Sequence, residues 1–389
     1  ALVGELMAVL YSGSILQPAY LAVRTVIAVA MFYAVSRLVR GPDDLIPLLK
    51  AVVAAVLFTS VLMILTSLPM TRSWVTNSIL SLPFLEPAAE GVSRRFLERI
   101  SLEDATRGRS LVGVSILSAT FINVAWPLVA LVAWVPDWSI ERRWRLVAQV
   151  VTVLAPLAVV MSYSRGPLVG TVLMVLALFV IRVRRVSSGI LVPIGVAAVF
   201  FLTVGLGSQL FFFERLQNRA VATLNNPFAD EREFERILAY VEPFEHVADL
   251  PQFLLVGEGV SLGRTGVVPE IDGKASHAMF AAAYYSYGMV AVVLYHWLII
   301  AGGFHVNAQR LRRGAEPGGL VAGALVLSVL AIVPWAAFGH AMVTEVRGAM
   351  LFFFVFGLIA ALSSFPTARS QSLRSFHGRA IAHGRPAAV

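Results

Sequence analysis

The sequence has no cysteine among its 389 residues. Disulfides, thiol nucleophiles and cysteine-ligated zinc or iron–sulfur centres are thereby excluded. Charge is scarce as well: 14% of residues are Asp, Glu, Lys or Arg, against roughly 25% in a soluble domain. With 58% apolar residues, a water-soluble globular enzyme does not fit. The usual motifs of such enzymes are missing too. No glycine-rich phosphate loop ends in Gly-Lys-Ser/Thr, no His-Glu-x-x-His occurs, and no Gly-x-Ser-x-Gly elbow is present. Gly257-Glu258-Gly259 lacks the Gly-x-x-Gly helix that would make it a dinucleotide site. No Asp-x-Asp of the kind that holds a divalent ion is found, which points away from a metal-dependent mechanism.

What the chain does have is apolar residues in blocks of about 20, the length that crosses a bilayer as helix. The blocks predict spans near 19–36, 46–69, 110–134, 146–163, 166–182, 189–209, 278–302, 319–340 and 348–365. Residues 1–17 read as the end of a further apolar segment, so nine or ten spans are expected. The opening at Ala1, without Met or a charged n-region, suggests that part of the N-terminus is missing. The expected architecture is an all-α polytopic membrane protein, one membrane domain over 1–389.

The net charge of +8 (31 basic, 23 acidic) invites a nucleic-acid reading, but positive-inside loops explain it more simply. Arg37/Arg40, Arg142/Arg143/Arg145, Arg182/Arg184/Arg185 and Arg310/Arg312/Arg313 all fall on one side of the predicted spans. So does the basic tail 366–389, with Arg369, Arg374, Arg379 and Arg385. That side is read as cytoplasmic. No nucleic-acid partner is implied; membrane lipids are. The loop 71–109 runs against the trend, with six arginines on the outer side beside five acids.

The outer side also carries the long segment 210–277, too long for a connector. Within it Asp230 and Glu233 make a capping box, followed by a stripe of Phe234, Ile237, Leu238, Val241 and Phe244. Arg232, Glu235, Arg236 and Glu242 project away from that stripe. Residues 88–100 carry Val92, Phe96, Leu97 and Ile100 on one face with Arg94, Arg95, Glu98 and Arg99 opposite, the pattern of an interfacial helix.

Polar chemistry concentrates on this outer face. Met161-Ser162-Tyr163-Ser164-Arg165-Gly166-Pro167-Leu168 breaks two apolar spans with one arginine. A guanidinium at membrane depth costs about 2.5–3.5 kcal/mol or more and calls for a partner. Two readings stand for Arg165: an interfacial residue satisfied by carbonyls or headgroups, or a planar fork that clamps phosphate oxygens. Downstream come Glu235-Arg236, the Gly257-Glu258-Gly259 stretch, His277 where the outer loop enters a span, and Tyr287-Gly288 within it. His277 reads either as a helix cap or as a catalyst. His296 and His305 belong to the inner half, His377 and His383 to the tail, and His340 to the outer end of a span.

The order of these pieces resembles the O-antigen ligase and polymerase superfamily of bacterial envelope glycosyltransferases. The resemblance covers roughly 146–302: a Ser-Arg-Gly hairpin, a large loop with an arginine helix, Gly-x-Gly, then His before a span with Tyr-Gly. Two positions depart from the family pattern, Ala278 where Asn is common and Tyr240 where Trp is common.

The resemblance implies a membrane glycosyltransferase-type helical bundle, with 210–277 as a periplasmic helical cap. It implies location in the bacterial inner membrane, a site facing the periplasm and a cytoplasmic C-terminus. The donor would be a glycan on undecaprenyl diphosphate and the acceptor a sugar hydroxyl of lipid A–core, joined without cofactor or metal and with inversion. Arg165 and Arg236 would stabilise the negative charge that develops on the departing diphosphate. Arg215, Arg219 and Arg232 are further candidates for the diphosphate, and Tyr240 for the substrate. His277 would serve as general base on the acceptor hydroxyl. Glu258 either orients His277 or is solvated, and Tyr284, Tyr285 and Tyr287 either stack on sugars or pack between helices. A polymerase that takes a second lipid-linked repeat unit as acceptor shares this chemistry. A transporter or flippase of lipid-linked sugars is the alternative of another class; charges deep in several spans or repeated halves would mark it. The acidic signature of the cell-shape peptidoglycan polymerases is not found in the long loop.

Overall fold

The computed structural model describes residues 16–75, 115–135, 140–162, 287–314, 316–338 and 346–365, with 78, 110, 164, 167, 170, 171, 174, 255, 283 and 284. Helix is their regular structure, and none of the described residues lies in a β-strand. The helices are α1 (Leu16–Leu38), α2 (Pro42–Ser67), α3 (Pro69–Val75) and α4 (Ser115–Trp134), then α5 (Arg142–Val160), α6 (Met289–Arg313), α7 (Pro317–Phe338) and α8 (Val346–Ala361). A 3₁₀ turn, Leu362–Ser364, follows α8.

Local chemistry sets several boundaries. α2 opens after the extended Gly41 with Pro42 in its first turn, where a missing N–H is harmless. Asp43 and Asp44 sit at the positive end of its dipole, and Asp44 accepts the Arg40 amide at 2.9 Å. It stops at the extended Leu68, the residue before Pro69. α6 is bounded by two glycines with positive φ, Gly288 (84°) and Gly314 (54°), a conformation without penalty only for glycine. Arg310, Arg312 and Arg313 fill its last turn, complementing the negative end of the dipole.

Length and composition make this a helical membrane protein. The stretches Asp43–Ser67, Ser115–Trp134, Arg142–Val160 and Met289–Arg313 are long and apolar enough to cross a bilayer. The 20 residues of α4 rise about 30 Å, the hydrocarbon thickness. Thr25–Leu38, Pro317–Val333 and Gly348–Ser364 are shorter apolar helices. On α6, Val290, Val293, Leu294, Trp297, Ile300 and Phe304 are exposed along one side. Such a face is untenable in water and ordinary against acyl chains.

α4 is the central helix, buried along nearly its whole length and packed on α2, α5 and α7. α6 pairs with α7, while α8 bridges α6 and α1. Lipid gives helices little hydrophobic reason to associate, so close backbone approach and side-chain-to-carbonyl bonds do that work. A Cβ on Gly357 of α8 would lie 3.0 Å from the Phe32 carbonyl oxygen and 3.0 Å from Val35 Cβ of α1. Ser328 of α7 donates to the Val124 carbonyl of α4 at 2.7 Å. Pro156 inside α5 has no N–H to offer the Thr152 carbonyl. The Trp126 indole of α4 reaches across and donates to that oxygen at 3.1 Å.

These contacts also order the ends. α4 and α5 are antiparallel, with Trp126 on Thr152 and Gln149 on Ala133. At the start of α5, Glu141 accepts from Lys50 of α2 at 2.8 Å and from Arg143. These two cations, Lys50 first, hold its carboxyl below the ordinary 4.5. α6 and α8 are parallel, with Tyr295 against Phe352 and Arg313 on the carbonyls of Leu362 (2.9 Å) and Phe365 (3.0 Å). Arg37, Arg40, Lys50, Arg142, Arg143, Arg145, Arg310, Arg312 and Arg313 thus gather at one end of the bundle. Among the described residues Arg72 and Arg347 stand at the other, and Arg72 is spent on the carbonyls of Thr66 and Ser67 that close α2.

Four expectations need correction. The span 278–302 is not one helix: Ala283, Tyr284 and Tyr287 are helical, the chain breaks at Gly288, and α6 runs on to Arg313. His296 therefore lies near the non-basic end of α6 instead of in the inner half; its Nδ1 is 2.8 Å from the Val292 carbonyl. The clusters Arg142/Arg143/Arg145 and Arg310/Arg312/Arg313 are helical and not loops, and Arg313 is buried. The segment 71–109 begins as the helix α3. The spans 189–209, the helices expected at 88–100 and 230–244, the cap 210–277 (Leu255 apart) and the tail 366–389 lie outside the described residues.

Candidate functional site

Arg165, Arg236, His277, Arg215, Arg219, Arg232, Tyr240 and Glu258 all lie outside the described residues. So does Tyr285. The structure does describe the chain on both sides of Arg165. It forms a buried polar knot at the end of the bundle away from the basic cluster.

The knot starts from α5. Pro156 lies within its last turns, and the helix ends at Val160 with Met161 as C-cap. Ser162 is completely buried; its hydroxyl donates to the Val159 carbonyl at 2.6 Å and accepts the Ser164 amide at 3.2 Å. Ser164 is also buried and donates back to the Ser162 carbonyl at 3.2 Å. Short hydroxyl side chains bonding locally in this way favour a turn over continued helix. Pro167, Gly170, Thr171 and Met174 are helical again.

The far side of the turn is held by α4. Asn123, 3% exposed, donates its amide to the Pro167 carbonyl at 2.6 Å. Its oxygen accepts from the Thr171 hydroxyl at 2.8 Å, and Thr171 is also 3.0 Å from the Pro167 carbonyl. Gly170 makes room: a Cβ there would come within 3.1 Å of the Asn123 amide nitrogen. Further along the same half of α4, Ser118 and Ser110 share a hydrogen bond at 2.8 Å, and Ser115 and Thr120 are buried. A buried polar group without a partner in apolar surroundings costs several kcal/mol. The central helix carries its polar residues on the half beside the Arg165 hairpin.

Asn123 and Thr171 were not singled out from the sequence, though a signal existed. An amide inside a 20-residue apolar helix is costly enough to mark a partner or a site. Tyr284 and Tyr287 are buried at 0% and 6%, which places them in helix packing. His305 has its Nε2 3.2 Å from the Ser363 hydroxyl toward the basic end, away from the knot. Among the described residues, no three His, Asp or Glu side chains converge as a metal ion would need. The sequence matches no family model and no curated protein.

Proposed function

We propose that this chain is a glycosyltransferase of the O-antigen ligase type. It moves a glycan from undecaprenyl diphosphate to an acceptor sugar hydroxyl of lipid A–core. It sits in the bacterial inner membrane with its basic end and C-terminus in the cytoplasm and its site toward the periplasm. The observation that carries the reading is the buried knot of Ser162, Ser164, Asn123 and Thr171 on either side of Arg165 in sequence, at the end opposite the basic helix termini. These bonds anchor the residues that flank Arg165 in sequence. Donors that need not reorganise stabilise a developing diphosphate charge more than the ground state. Arg236 adds the second guanidinium, with Arg215, Arg219, Arg232 and Tyr240 in the same loop. His277 takes the acceptor proton, and Glu258 lies in the same loop. The energy of the transfer comes from the leaving diphosphate, so no nucleotide, cofactor or metal is required.

The test is transfer in liposomes from an undecaprenyl-diphosphate glycan, offered lipid A–core or a second lipid-linked unit in turn. The expected product is one glycan joined to lipid A–core. It is lost in Arg165→Ala and His277→Ala while insertion is normal, and it survives a chelator. A ladder of lengthened lipid-linked chains would instead make the protein a polymerase. Absence of any covalent product, with the donor moved across the bilayer, would make it a transporter and end the proposal.

A further inference from the structure

We propose that Asn123 is a positioning residue: from the central helix it holds Pro167 and Thr171, and the function of Arg165, just before them in sequence, depends on that hold. The proposal rests on the reading of Arg165 as a diphosphate clamp, and its geometry comes from described residues alone. Asn123 belongs to α4, whereas Pro167 and Thr171 follow 44 and 48 residues later. No local folding rule demands an amide there. Its neighbours on α4 are Ile122, Val124, Ala125 and Trp126, all buried. Leucine in its place would satisfy the bilayer, whereas the amide carries a desolvation cost that its bonds must offset.

Both ends of that amide are used within the five residues after Arg165-Gly166. The NH₂ group holds the carbonyl of Pro167 at 2.6 Å, and the oxygen takes the Thr171 hydroxyl at 2.8 Å. Gly170 lies between them, where any side chain would press on the amide nitrogen. On the other flank Ser162 holds the Ser164 amide. Two residues, Arg165 and Gly166, join these anchored points. Pro127, four residues beyond Asn123, cannot donate to the Asn123 carbonyl, so α4 lacks one ladder bond at this level. The anchoring of the turn is thus a tertiary device, with one partner on α4 and the other on the segment it holds.

The absence of native cysteine allows a test that does not need glycan transfer. A thiol is introduced by Arg165→Cys, and its rate of reaction with a cationic thiosulfonate is measured on the full-length protein in detergent, where both ends of the bundle meet the reagent, with Asn123 intact and with Asn123→Leu. Gly41→Cys serves as control, since a side chain there meets nothing within 4 Å and its backbone is extended. The expected result is a change of about 5- to 30-fold at position 165, the scale of a lost local anchor, with none at position 41. Thr171→Val and Gly170→Ala should move the rate in the same direction, which covers the case that Asn123→Leu fails to insert. In the transfer assay Asn123→Leu should lower kcat about 100-fold, as a displaced catalytic group does. Unchanged labelling at 165 in all three variants would overturn the proposal, whatever happens to transfer. Altered labelling together with full transfer by Arg165→Ala would uphold the anchor and reject the clamp.

Discussion

Trp126→Phe removes one indole N–H and leaves most of the ring in place. In the structure that N–H serves a carbonyl with no helical partner, because Pro156 takes away the amide that would bond Thr152. The Thr152 oxygen and the indole are both buried, so the variant leaves an acceptor bare in apolar surroundings. Interhelical hydrogen bonds in membranes average about 0.6 and reach about 1.7 kcal/mol, and an orphaned buried acceptor costs about 1–3 kcal/mol. Trp126→Phe should therefore destabilise by about 1–2 kcal/mol. The same reasoning fixes the coupling. Pro156→Ala returns an N–H to Thr152, and in that background Trp126→Phe should cost about 1 kcal/mol less. The assay is a double-mutant cycle read by steric trapping or by reversible unfolding in mixed micelles. Equal costs in the two backgrounds would show that the indole acts by packing alone and would refute the reasoning.

Arg313→Ala should loosen the α6–α8 junction by at least about 2 kcal/mol, since charged donors are lost from the carbonyls of Leu362 and Phe365. Lysine at 313 should recover only part of that in the same unfolding measurement, because one ammonium cannot serve both carbonyls and also replace the Nε–H that Arg313 gives to Gln309 at 3.0 Å; full recovery would reduce the site to charge. Gly357→Ala should cost about 1–3 kcal/mol by forcing α1 from α8, whereas Gly41→Ala should be neutral; equal effects would mean that the contact yields. Glu141 has a depressed pKa, so its contribution is complete above the ordinary 4.5 and is lost as pH falls through the lower folded value. Unfolding followed from neutral to acidic pH should show that small, salt-sensitive loss in the native protein and not in Glu141→Gln.

The sequence made the helices readable because the bilayer leaves one solution for an apolar block of this length. The blocks 19–36, 319–340 and 348–365 meet α1, α7 and α8 within a few residues. Gly288 was invisible to that criterion, since glycine is common in membrane helices and hydropathy carries no backbone angle. Arg313 reads as one more loop arginine beside Arg310 and Arg312. Its burial depends on carbonyls 49 and 52 residues away, which no local pattern reports. Of the site, the Ser-Arg-Gly hairpin stood out as an interruption of two spans. Asn123 did not, because its partners are far along the chain. Arg236 and His277 belong to a segment on which the described residues have no bearing.

The side-by-side packing of α1 and α8 has a consequence for how the protein is made. The groove that receives Gly357, formed by Phe32 and Val35, leaves the ribosome roughly 300 residues before its occupant. At about 5–20 residues per second that delay is about 15–60 s. Throughout it α1 lacks that partner, and the contact between α1 and α8 forms among the last. A chain that stops short of Val346 would leave the Phe32–Val35 groove of α1 without Gly357, an open surface that membrane quality control can read.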